Sequence, residues 1–119
     1  MIWSYMTAEL AAGRNVMFLC VVESEGSSPG RQGFKMAIGQ TMVGSIGGGM
    51  MEHKLVELAK VAMRERRPPF IKRQIHLADE AADRSGMICS GEQTVAFITL
   101  TSSDLPVVSR IGRRTTSRA

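Results

Sequence analysis

The run Gly44-Ser45-Ile46-Gly47-Gly48-Gly49 stands directly before the clearest helical pattern in the chain. Glycine loses more backbone entropy on folding than any other residue, so such a run marks a sharp turn or a place where something approaches the backbone closely. A helix start also carries free N–H groups and the positive end of the dipole, a natural seat for an anion. The backbone from Gly47 to Glu52 therefore suits a phosphate, and it equally suits a strand-to-helix corner in which glycine lets backbones pack. It is not a P-loop, because the GK[ST] ending is missing, and GxGxxG spacing after a buried strand is not met either.

The rest of the chain supplies the frame for that corner. Ile2 to Ala12 suits a short amphipathic helix stopped by Gly13 and Asn15, and the apolar run Val16 to Val22 reads as a buried central strand. Gly26 to Gly33 is a loop by composition, and Lys35–Ile38 and Thr41–Val43 form two short strands around a Gly39-Gln40 turn. After the glycine run, Met51, Leu55, Leu58, Ala59 and Ala62 share one helical face, and Pro68-Pro69 blocks continuation. Phe70 to Leu77, with Ile71, Arg73, Ile75 and Leu77 in alternation, reads as a half-exposed strand, Ala78 to Gly86 as a helical turn or loop, and Gln93 to Thr101 as a further strand. The order predicts an α/β (or α+β) single domain over residues 1–101, a mixed β-sheet with flanking helices and no Rossmann domain. Residues 102–119 show little pattern and are expected to be a basic, mobile tail.

Composition narrows the class. A chain of 119 residues, 44% hydrophobic and 22% charged, is one globular domain's worth. Arg110, Arg113, Arg114 and Arg118 face only Asp104 after residue 101, so the rest of the chain is nearly neutral and has no general nucleic-acid footprint. No stretch approaches the ~18 apolar residues of a membrane span, and the first residues show no charged segment followed by a long apolar run. A cytoplasmic protein is expected. Two cysteines without CxxC spacing read as free thiols. Nine methionines beside scarce aromatics suit an adaptable contact surface, and a closed homodimer is the commonest way to bury one.

Three further sets of residues carry chemistry. Ser27 and Ser28 can donate to an oxyanion and Arg31 can clamp one, although Ser/Pro/Gly turns are common without ligands. Cys89 lies between glycines just before a strand, as a nucleophile, a sulfur carrier or a soft-metal ligand would, whereas Cys20 sits within an apolar strand as an inert core residue. Glu52 is the acid nearest the glycine corner: the dipole alone explains it, and a catalytic or ligand-orienting role stays open. His53 and His76 have no partner that suggests a site and read as ordinary surface and strand residues.

In order, Gly26-Ser27-Ser28-Pro29 continuing to Gly33-Phe34-Lys35-Met36, then Gly44 to Gly49 with Glu52, then Met87-Ile88-Cys89-Ser90-Gly91 resemble the XdhC/CoxI family, accessory proteins of xanthine dehydrogenase and related molybdenum hydroxylases. The likeness runs from about Ala8 to Leu100. It implies an accessory protein, a chaperone rather than an enzyme. Such a protein binds the molybdenum cofactor (molybdopterin or its cytosine dinucleotide) transiently and assists its sulfuration and insertion into the apo-enzyme. The implied contacts are Ser27, Ser28, Arg31, Lys35, Ser45, Gly47, Gly48, Gly49, Glu52 and Cys89, with phosphate at Gly47 to Gly49 and the metal end near a thiol or hydroxyl. Partners would be a molybdenum hydroxylase apo-enzyme and a cysteine desulfurase. Many members carry a Rossmann-like domain after this one; this sequence ends before it, as a short member or a piece of a longer protein would, and NAD is not expected of these residues. The competing readings are a sulfur-transfer or thiol catalyst built on Cys89 and a ligand-free docking module for a molybdoenzyme.

Overall fold

The computed structural model describes residues 1–26, 31–76 and 91–117. In chain order these form α1 (Ile2–Ala11), β1 (Val16–Gly26), β2 (Lys35–Ile38), β3 (Met42–Gly44), α2 (Gly49–Arg64), β4 (Phe70–His76), β5 (Gly91–Leu100), a 3-10 turn (Ser102–Asp104) and α3 (Leu105–Ser117). The strands make one sheet in the order β3-β2-β1-β5-β4. Each of its four pairings is antiparallel, which selects α+β from the two classes the sequence left open and makes the sheet antiparallel where a mixed one was expected. The connection from β2 to β3 is a hairpin, so no βαβ crossover is needed to join them.

β1 is central because it is apolar on both faces. Met17, Leu19 and Val21 join Met36, Ile38, Val95 and Phe97 beneath Leu55, Val56, Ala59 and Ala62 of α2. Val16 and Ala37 pack on the other face with Met6 and Leu10 of α1 and Val108 of α3. The inward side of β5 is fully buried at Phe97, whose ring stacks on Phe70 at 4.6 Å between centroids. Val56 therefore belongs to the buried face of α2, while Met51 and Leu58 pack only at its margin. On β4 it is Phe70 that turns toward the core; Ile71, expected on the apolar side of the alternation, is 68% exposed.

The glycine of the predicted Gly39-Gln40 turn has a packing role. A side chain there would strike the Tyr5 hydroxyl. That hydroxyl donates to the Thr41 carbonyl at 3.0 Å and accepts from the Thr41 N–H at 3.1 Å, fastening α1 to the hairpin.

Residues 102–117 are not the patternless tail expected from composition. Thr101 and Asp104 form a reciprocal cap, with the Thr101 N–H donating to Asp104 Oδ2 at 2.8 Å, the side-chain logic of a capping box. Pro106 falls in the first turn of α3, where its missing N–H is tolerated. Leu105 and Val108 then pack on the α1 side of the sheet, and Gly112 passes close to Trp3 Cβ. Polar and basic residues around the rest of this helix obscured a narrow apolar seam.

Replacing Val108 by Asp should lower stability by about 2–4 kcal/mol, because it buries an unpaired charge. A mobile tail would tolerate the change within about 0.5 kcal/mol; urea unfolding distinguishes the two outcomes. Phe97→Ala should cost about 3–5 kcal/mol in the same assay.

Candidate functional site: a glycine turn braced by Glu52

The link from β3 to α2 turns on glycines that the backbone requires. At Gly44, φ is +86° and an added Cβ would collide with the Lys35 carbonyl oxygen. At Gly48, the residue capping α2, φ is +75° and ψ −176°, a region that is essentially glycine-only. An added Cβ at Gly48 or Gly49 would nevertheless meet nothing within 4 Å. The glycines at the head of α2 are therefore not making room for a neighbouring backbone. They leave bare main chain facing open space.

The N–H groups of the turn do not wait for a phosphate. Glu52, one turn into α2, folds back, and its Oε1 accepts from Ser45 Oγ at 2.7 Å, from Ile46 N–H at 2.9 Å and from Gly48 N–H at 3.0 Å. Gly47 N–H donates to Ser45 Oγ at 3.1 Å. Of the N–H groups at Gly47 to Gly49 that the sequence offered to an external anion, the chain's own carboxylate thus takes that of Gly48, and Ser45 Oγ takes that of Gly47. A phosphate bound by those same N–H groups would have to displace both. Burial of Glu52 opposes its charge, but the hydrogen bonds from Ser45, Ile46 and Gly48 outweigh that and hold its carboxyl below the usual range. All three bonds fall on Oε1; Oε2 makes none of the hydrogen bonds of this turn.

Two further contacts fix the turn to the sheet. The Ile46 side chain is 1% exposed within the α2-side core, and its carbonyl accepts from Gln93 Nε2 at 3.2 Å. Gln93 is itself 1% exposed. Sequence reasoning missed it, although the signal was there: a polar residue in register with Val95 and Phe97 on the inward side of β5. Such a residue needs a fixed partner.

The other candidates are distributed as follows. Arg31 is exposed and donates from Nη1 to the Gly26 carbonyl at 3.2 Å. Lys35 is half-buried, with Nζ on the Gly33 carbonyl at 2.8 Å. Met36 and Ile38 belong to the α2-side core and Ala37 to the opposite one. By alternation Lys35 lies on the face away from α2, separate from the braced turn. Cys20, opposite Lys35 in the ladder, is half-buried rather than a core residue. Ser27, Ser28 and Cys89 lie outside the described residues. The positions that flank them are described: Gly26 pairs with Gly91, and the next paired positions inward include Ser24 with Gln93, whose amide reaches Ile46. The chain therefore leaves and re-enters the sheet at the end that carries the glycine turn. Among the described residues no group of His, Cys, Asp and Glu is arranged to hold a metal ion, and no helix is long and apolar enough to cross a membrane.

A small α+β domain with a carboxylate-braced glycine turn at one sheet end is the class these observations define. The model of the XdhC and CoxI family matches residues 9–74, more than half of the chain, and the chain belongs to that family. It is 36% identical over 77 residues to the uncharacterized protein YqeB of Escherichia coli (strain K12), covering 63% of this chain and 14% of that protein. Its fold is similar to a crystal structure of a xanthine dehydrogenase from Bacillus halodurans, with a TM-score of 0.64 and 23% identity over 91% of this chain and 33% of that one. The chain thus spans a small part of the curated relative and a third of the solved one.

Replacing Glu52 by Ala should destabilise the protein by about 2–3 kcal/mol at neutral pH, since three donors lose their acceptor. Because the folded-state pKa lies below the unfolded value, near 4.3 for Glu, the contribution is complete above that value. It is lost as pH falls through the folded pKa. Urea midpoints of the wild type and the variant should therefore converge on acidification from pH 7 toward pH 3. Gly48→Ala should cost about 1–3 kcal/mol through backbone strain alone, because space for the methyl is open; calorimetry of the folded variant measures it.

Proposed function

We propose that the protein is an accessory factor of a xanthine-dehydrogenase-type enzyme. In this reading it holds the molybdenum cofactor transiently at the sheet end that carries the glycine turn. Family membership supports the accessory role. The observation that carries the ligand reading is the bare main chain at Gly48 and Gly49 beside a carboxylate with one oxygen uncommitted within the turn.

The residues present fit such a group, with one change of orientation. A turn already filled by Glu52 repels a phosphate. Glu52 Oε2 is instead an acceptor, suited to the amino and ring N–H donors of a pterin. The braced Oε1 keeps the carboxylate ionised and fixed, so the ligand meets a preorganised acceptor rather than a mobile side chain. Gly48 and Gly49, lacking side chains, let a flat ring lie close to the backbone. Arg31 is the exposed cation on the loop between β1 and β2 that can meet the phosphate. Bound there, the cofactor would supply the dithiolene-held metal; the protein would orient the ring and shield it. Ser27, Ser28 and Cys89 complete the proposed set, and a cysteine desulfurase and an apo-enzyme are the partners this role requires. Serving an enzyme elsewhere, the chain acts as a carrier, not a catalyst.

Purified protein mixed with cofactor released from a molybdoenzyme should carry pterin fluorescence (after oxidation) through a sizing column. Glu52→Gln, which keeps the size of the side chain but loses its charge, should reduce retention by about tenfold, equivalent to ~1.4 kcal/mol. Arg31→Ala should weaken a phosphorylated pterin and leave a dephosphorylated one unchanged. Absence of retention by the folded wild type would sink the proposal.

A further inference from the structure

The edge of the sheet opposite β3 is long, exposed and basic. β4 has seven residues and, among the described residues, pairs only with β5. Among the described residues its other side meets no strand, and main-chain N–H and C=O groups on such an edge are a template for another extended chain. Ile71 on this strand is 68% exposed, a β-branched side chain presented to solvent. From Arg64 to Arg73 the chain carries Arg64, Arg66, Arg67, Lys72 and Arg73 against the single acid Glu65, all exposed. Arg67 is paired with Glu65 and Arg73 with Glu92. Arg64, Arg66 and Lys72 form no ion pair among the described residues.

The end of α2 supplies an independent observation. The helix closes in a Schellman arrangement: Arg67 N–H donates to the Ala62 carbonyl at 3.0 Å and Arg66 N–H to the Met63 carbonyl at 3.2 Å. The position after the cap adopts the left-handed conformation and is usually glycine. Here it is Arg66, at φ +54°, the non-glycine residue of positive φ among the described residues. A residue held against its backbone preference points to a use for its side chain. Pro68-Pro69 follows, ending the helix and delivering the chain to the sheet edge without further N–H donors.

We propose that β4 and the end of α2 are a docking edge for an extended acidic segment of a partner protein. The segment adds a strand to β4 through main-chain hydrogen bonds, and its carboxylates meet Arg64, Arg66 and Lys72. Edge charges also guard against unwanted pairing. Such charges repel a basic strand and resist burial against an apolar one, however, and leave an acidic one welcome. A second copy of this chain is a poor occupant, because β4 (Phe70–His76) carries Lys72 and Arg73 and no carboxylate to offer to its own copy. A nucleic acid could use the charges but not the strand edge.

The test is fluorescence anisotropy with a labelled, alternating Glu-Val heptapeptide. Its controls are a Lys-Val peptide, the Glu-Val peptide N-methylated at alternate backbone nitrogens, and a single-stranded oligonucleotide of matched charge. The Glu-Val peptide should bind about tenfold or more tightly than each control, and binding should fall with added salt. Arg66→Gly should weaken the peptide several-fold while raising the thermal midpoint by about 2–5 °C, since it relieves strain at the cap. Lys72→Glu, at an exposed position, should weaken it without loss of folding. Failure of the Glu-Val peptide to bind overturns the proposal, as does equal binding of the N-methylated peptide or the oligonucleotide. An affinity unchanged by both substitutions, or dimerisation through β4, does the same.

Discussion

Everything in this fold hangs on β1 being apolar on both faces. Antiparallel sheets commonly leave one side wet, but here Met17, Leu19 and Val21 require one cover and Val16 another. α2 supplies the first, and α1 with α3 supplies the second. The sheet is thereby clamped between helices that enter it from different parts of the chain. Because the α2-side cluster includes Ile46, the same clamp fixes the turn before α2. The site therefore inherits its position from the core: a shift of α2 along the sheet would break the Ile46–Gln93 contact and release the turn.

That dependence explains why a carboxylate is used where a bound anion was expected. A turn with several converging N–H groups must satisfy them in every state, whether or not a ligand is present. Supplying Glu52 from within braces the turn without a ligand, which suits the proposed carrier role. It also reverses the electrostatic preference of the site. A nest of N–H groups attracts anions, whereas the same nest filled by a carboxylate with a spare oxygen selects hydrogen-bond donors. Gln93, buried opposite, plays the supporting part that keeps the Ile46 carbonyl from becoming an orphan.

Much of this was legible in the sequence where a single local rule dominates. The run Val16 to Val22 favoured a buried central strand, although Val22 itself lies exposed, and the spacing of Leu55, Ala59 and Ala62 marked α2 and most of its inner face but not Val56. What stayed hidden depended on partners distant in the chain or on rules in competition. α3 was obscured because its arginines, serines and threonines outnumber the seam of Leu105 and Val108, although Thr101 to Asp104 form its start signal. The phosphate reading of Gly47 to Gly49 followed from the N–H groups alone; only three-dimensional geometry reveals that Glu52 reaches back to Ile46 and Gly48. The packing of Phe70 against Phe97, with Ile71 left outside, was decided by register with β5, which β4's own alternation does not determine.

The two ends of α2 make a final comparison. Both need a backbone conformation that side chains resist. At its start the chain complies with glycine, and the result is an open main-chain surface beside a rigid carboxylate. At its end it uses Arg66, accepting the strain that glycine would remove. Local stability cannot favour both choices. Where the requirement is bare backbone, as at a surface meant to be approached closely, glycine serves the conformation and the contact together. Where the requirement is a projecting charge next to an edge strand, only a side chain serves it, and the backbone yields. The one helix thus carries two chemically opposite surfaces, an acceptor site at its head and a cationic edge at its foot, separated by the sixteen residues from Gly49 to Arg64. If the proposed carrier role and docking edge hold, the two contacts need to stay apart, and α2 keeps them a helix length from each other.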